Sequence, residues 1–201
     1  MAAHLLLGVC EDNQVIWKSH YWKDDLKKMA AVLRRKIHQR RWPDSSLARF
    51  EQTVMLGFYC VRKLVESKKV SDGLIHGKYP LIVFHSAGEP IHFMNWHKVD
   101  ELYDLENGKD ISRDLHFIYN LIIHSYVFSP FFDERGKLAG ALVTSDRFKN
   151  KELYLVGIEQ MIEIFDKVGR DYPGASYKWS EKRQDYEVKT FSHTVVGTED
   201  T

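Results

Sequence analysis

The chain has 201 residues, a formal net charge of +1, two cysteines, and 44% hydrophobic and 28% charged residues. These are ordinary values for a globular chain long enough to bury its own core, and they exclude a disulfide framework, a cysteine-based zinc site and any global electrostatic pull toward nucleic acid or membrane. No apolar run approaches the ~20 residues of a membrane span, and the opening MAAHLLLGVC lacks the basic n-region and long apolar stretch of a signal peptide, so a soluble, cytoplasmic setting is expected.

Residues 4–9 and 14–17, separated by Glu11-Asp12-Asn13, read as a short hairpin. From 22 to 42, Trp22, Leu26, Met29, Ala30, Leu33 and Ile37 recur at helical spacing. The other faces of this helix are basic: nine Lys or Arg between Lys18 and Arg41 stand against Asp24 and Asp25, a local excess of seven positive charges. Trp42-Pro43-Asp44-Ser45-Ser46 stops one helix and starts the next, because proline disfavours a helical residue before it and aspartate or serine caps well. The second helix, 46–68, carries the clearest stripe: Leu47, Phe50, Val54, Phe58, Val61 and Val65. So short a link predicts antiparallel packing of the two helices.

Between 70 and 106 turn signals (Ser71-Asp72-Gly73, His76-Gly77, Ala87-Gly88-Glu89-Pro90) separate two short apolar runs, Leu81–Phe84 and Ile91–Met94, suited to strands, with a short helix at 97–105. A long helix is expected over 111–128. Strands at 127–132 and 137–144 flank Asp133-Glu134-Arg135-Gly136 as a β-hairpin. A last helix at 158–168 ends on Gly169. Periodicity fades past Pro173, and 197–201 reads as disordered. The expected fold class is α+β: mainly an antiparallel helical bundle with a short β insertion and a β-hairpin in the C-terminal half. It forms one domain, 1–173, followed by an extension, 174–201.

Motifs with a recognised chemistry are few. No histidine pair has HExxH or CxxC spacing, no glycine run approaches a phosphate loop, and there is no GxSxG elbow, so neither metal nor cofactor is expected. Cys60 lies among apolar residues as a buried free thiol. Arg34, Arg35, Arg40 and Arg41, beside His38 and Trp42, form a candidate phosphate contact, since guanidinium forks suit phosphate oxygens and an aromatic ring can stack on an unpaired base. The bland reading is a solvated helix end whose charge complements the dipole.

In the helix expected over 111–128, Arg113, His116, Asn120 and His124 fall within about 80° of one another at 100° per residue. The segment Asn120-Leu121-Ile122-Ile123-His124 resembles the signature of HEPN-domain proteins, small helical bundles in which an arginine and a polar residue precede a histidine. Many of these are metal-independent ribonucleases of toxin–antitoxin and antiviral systems that act as dimers. The resemblance covers Asn120, His124 and the plan of long helices before them. At the family's arginine position this chain has Tyr119, or Ile118 or Phe117 with longer spacing; Arg113 lies eleven residues before His124.

The resemblance implies an RNA-directed protein whose enzymatic form is a metal-independent endoribonuclease, with His124, Asn120, Arg113 and His116 as catalytic residues. Implied partners are RNA, a second copy of the chain and a regulatory protein, with no membrane. The competing class is a non-catalytic dimeric scaffold or antitoxin-type module. A third is a small-molecule sensor using the segment 81–94.

Overall fold

The apolar stripe of residues 46–68 has one position where side-chain volume drops to nothing, Gly57, and the packing of the molecule shows why. A computed structural model describes residues 16–192. In it α1 (Ser19–Ile37) and α2 (Asp44–Glu66) form the expected helical pair, and α6 (Ile158–Arg170) lies against both. A Cβ at Gly57 would overlap the Phe165 ring of α6, which packs edge-on to Phe58 at 5.0 Å between centroids. Gly169 lets α6 approach the α1 backbone in the same way, at the carbonyl of Lys23.

The expected helical bundle with a short β insertion is overturned. The core is a five-stranded antiparallel sheet in the order β2-β1-β5-β4-β3. Its strands are β1 (Tyr79–His85), β2 (Lys109–Arg113), β3 (Ser125–Phe132), β4 (Leu138–Ser145) and β5 (Glu152–Gly157). One face, with Leu81, Val83, Ala141, Val143, Tyr154 and Val156, packs against α1, α2, α6 and α5 (Leu115–Ile123). The other, with Phe84, Val127, Leu142 and Leu153, is covered by residues 91–105, including the one-turn helix α4 (Val99–Leu102). A further single turn, α3 (Asp72–Ile75), precedes β1. β4 is covered on both faces, so its sequence lacks the alternation that marks a half-exposed strand.

The single helix expected over 111–128 is likewise corrected: this stretch is the end of β2, then α5, then the start of β3. The Asp114 carboxylate accepts from the Phe117 N–H at 2.8 Å, capping α5. After His124 the β-branched and aromatic residues Val127 and Phe128 pair with β4 instead of continuing the helix, with Tyr126 bulged out between Ser125 and Val127. The hairpin at 127–144 forms, with Gly136 at φ 69° in its turn. The run Ile91–Met94 is a turn, and β5 has no counterpart among the expected elements. β3 is an edge strand; it carries Pro130 and a bulge between Ser125 and Val127.

The extension forms a separate two-stranded hairpin, β6 (Gly174–Ser180) and β7 (Asp185–Phe191). Thr190 ties it to the domain, its hydroxyl donating to the Val70 carbonyl at 2.8 Å and its N–H to Asp72 at 3.1 Å. The strand reading at 4–9 and the disorder at 197–201 lie outside the described residues; of 14–17, Ile16 and Trp17 are described and are not in a strand.

The α1–α2–α6 packing has two measurable consequences. Gly57→Ala overpacks Phe165 and lowers stability by about 1–3 kcal/mol despite alanine's better helix propensity, read from urea unfolding. Lys23 is 1% exposed, donates to the Asp171 carbonyl and sits 4.2 Å from the Tyr172 ring centroid. Burial pushes its amine down from 10.5 to about 8, against the pull of the Asp171 carboxylate. Between those two pH values the unfolded chain holds a proton that the folded one does not, so this group's contribution makes stability rise with pH. The stability of Lys23→Met relative to the native protein therefore falls across that window, measured as urea midpoints at about pH 7.5 through 10.5.

Candidate functional site

α5 is only nine residues long, and its C-cap, His124, donates its backbone N–H to the Asn120 carbonyl at 3.0 Å. Ending the helix there places the His124 side chain against the second half of α2. Arg62 Nη1 stands 3.3 Å from His124 Nε2. A guanidinium has no acceptor, so arginine donates, and the neutral imidazole carries its proton on Nδ1. Arg62 is itself held in place: Nε donates to Glu66 at 2.7 Å, and Lys63 donates to the other oxygen of the same carboxylate at 2.9 Å. These two bonds hold the Glu66 carboxyl below the usual carboxylate range.

One turn back along α5, Tyr119 is buried, and its hydroxyl meets His116 Nδ1. Burial raises the phenol above its ordinary value, with the Arg62 guanidinium opposing. The phenol is therefore protonated at neutral pH and is able to donate to Nδ1. The His76 ring, at the end of α3, lies 6.3 Å from His116. The result is a row of side chains in two parts, His76–His116–Tyr119 and His124–Arg62–Glu66, which Tyr119 and Arg62 link only by their electrostatic influence on each other.

Of the residues singled out in the sequence, His116 and His124 both join this row, and Asn120 is exposed on the helix between them. Arg113 does not join it. Its guanidinium stacks 5.2 Å from the Phe117 centroid, beside Tyr154, whose hydroxyl donates to Glu152. Burial comes first among the causes that keep that phenol protonated; the Glu152 carboxylate adds to it and Arg113 opposes. Of the four polar residues of the expected stripe, His116 and His124 thus belong to one row, Arg113 has separate partners, and Asn120 stands exposed.

The basic cluster lies elsewhere. Arg34 pairs with Asp166 of α6, while Arg35, Arg40 and Arg41 are exposed near the α1–α2 turn. Lys36, in their midst, turns inward and donates to the Ser46 carbonyl at 3.1 Å. Arg62 is eighteen residues along α2 from Asp44, about 27 Å at 1.5 Å per residue.

Arg62, Tyr119, Glu66 and His76 escaped the sequence reading. Arg62 and Glu66 have the spacing of an ordinary exposed ion pair, and no local signal announces a contact between residues 62 and 124. Cys60, two residues before Arg62, is unsuited to nucleophilic attack, because burial raises its thiol to about 11. Among the described residues no three His, Cys, Asp or Glu side chains converge to hold a metal ion, and no helix is long and apolar enough to cross a membrane. Comparison with protein-family models, with curated proteins and with solved structures finds no match for this chain.

Proposed function

We propose that the chain is a cytoplasmic, RNA-directed protein that cleaves a phosphodiester without metal at the Arg62–His124 pair. The observation that carries this reading is the 3.3 Å contact between Arg62 Nη1 and His124 Nε2. It brings a guanidinium to the histidine from α2, where the sequence around His124 has none at the expected position.

A phosphate entering between the two groups takes the Arg62 donor and frees His124 Nε2. The imidazole then accepts the proton of the ribose 2′-hydroxyl as its oxygen attacks phosphorus, and returns a proton to the 5′-oxygen as the P–O5′ bond breaks. The products are a 2′,3′-cyclic phosphate and a 5′-hydroxyl. Arg62 balances the charge that builds on the non-bridging oxygens. His116 lies eight residues before His124, about 12 Å along the helix axis, too far to serve the same phosphate; it and Asn120 contact the neighbouring nucleotide.

A second reading, a non-catalytic interaction module, draws on the β6–β7 hairpin. Tyr177, Trp179 and Tyr186 share one face there and are all exposed, with Trp179 and Tyr186 5.1 Å apart.

The two readings separate in a cleavage assay on single-stranded RNA in excess chelator. Native protein yields cyclic-phosphate ends, and His124→Ala and Arg62→Ala each lower the rate by about 100-fold or more. RNA left equally intact by the native protein and both variants sinks the nuclease reading and leaves the interaction module.

A further inference from the structure

The face of α2 that carries Arg62 also carries Glu51 and Met55, all three within about 40° of one another around the helix. Beyond Arg62 this face borders a groove of about 660 Å³ lined by Glu51, Met55, Phe93, Trp96, Tyr126 and Phe128. Ile123 and Ser125 complete its wall and flank His124 directly, so the groove opens beside the Arg62–His124 pair. From Met55 to Arg62 is two turns of helix, about 10.5 Å.

Three features give the groove its chemistry. The bulge in β3 falls at Tyr126, the position where the strand departs from its register with β4; such bulges re-aim a side chain. The Lys149 ammonium stands 3.9 Å from the Tyr126 ring centroid. Opposite, Phe93 and Trp96 are 81% and 40% exposed on a turn that Asn95 ties together, accepting from the His92 N–H at 2.8 Å and donating to the Pro90 carbonyl at 3.0 Å. Aromatic rings this exposed, on a braced turn, are available to a ligand.

β3 then continues along α2 in the reverse direction, with Phe128 against Phe50 and Phe132 edge-on to Trp42 at 5.3 Å. Trp42 immediately follows Arg40 and Arg41. The seam between α2 and β3 therefore begins at a guanidinium, passes the exposed rings of the groove, runs over the half-buried Phe128, Phe132 and Trp42, with Phe50 buried beneath, and ends beside more guanidinium groups. A linear polyanion bearing flat apolar groups matches that order of charge and rings; a compact apolar ligand or a folded protein surface does not.

We infer that this seam is a track for single-stranded RNA and that the groove holds an unpaired base next to the phosphate at Arg62. Stacking falls to Phe93, Trp96 and Tyr126, and Glu51 accepts from an exocyclic amine, as carboxylates do toward cytosine. Paired bases keep their faces within the duplex stack, so a duplex cannot fill the groove. The inference rests on the proposed RNA-directed function but concerns binding, and its test leaves cleavage out.

The probe is a fluorescein-labelled oligocytidine of about eight nucleotides, within the usual span of a single-strand site. It is 2′-O-methylated so that it cannot be cleaved, with anisotropy and tryptophan quenching as readouts. The native protein binds it, and Phe93→Ala/Trp96→Ala, at exposed positions, weakens binding by about ten- to a hundredfold with an unchanged thermal midpoint. Arg40→Ala/Arg41→Ala also weakens binding and flattens its salt dependence. The corresponding duplex competes at least about tenfold more weakly. If Phe93→Ala/Trp96→Ala binds the strand as tightly as native protein, or the duplex competes equally, the base site is overturned whatever the cleavage assay shows. Binding that depends on the groove without cleavage of unmodified RNA overturns the nuclease reading alone. No binding by the native protein overturns both.

Discussion

The carboxylate of Asp114 accepting from the Phe117 N–H is the point at which the chain leaves the sheet and becomes helix. Strand β2 ends on the residue before it, and α5 begins on the residue after. A cap of this kind contributes about 1 kcal/mol, modest in itself, but its position sets the phase of everything that follows. It aims His116 toward Tyr119 and His76, and at the far end of the helix it delivers His124 to Arg62. Moving the helix start by one residue would rotate both histidines by about 100° and separate them from these partners.

α2 is the second organising element. Its inner side carries Phe50, Val54, Phe58 and Val61 into the core, where Gly57 admits the Phe165 ring. Its outer side presents Glu51, Met55 and Arg62 to the end of α5 and to β3. One helix therefore links the stability of the core to the placement of the guanidinium at the candidate site. The Glu66 and Lys63 contacts hold that guanidinium in a set direction without neutralising its remaining donors.

The long helices were legible because their stripes are periodic over several turns; α2 and α6 match their expected spans to within a few residues. The β3–β4 hairpin was legible from its turn, where Gly136 takes a positive φ. The sheet as the centre of the fold was not. β4 and β5 are both covered on both faces, so neither shows alternation, and residues 111–128 have enough apolar content to imitate one helix. At the site, His116, Asn120 and His124 stood out because polar groups in an apolar run are conspicuous. Arg62 did not, since its significance lies in a contact 62 residues away along the chain.

β3 lies at the rim of the sheet, and Pro130 sits in the middle of it while still paired with Ala141 of β4. A proline has no N–H to offer, so the outward side of this rim lacks a donor halfway along. The bulge at Tyr126 breaks the spacing of the groups that remain. Another extended polypeptide cannot zip onto such an edge by backbone pairing. This open border of the sheet is thereby closed to strand exchange and to fibrous stacking, while its side chains stay free to meet something that makes no use of a peptide ladder.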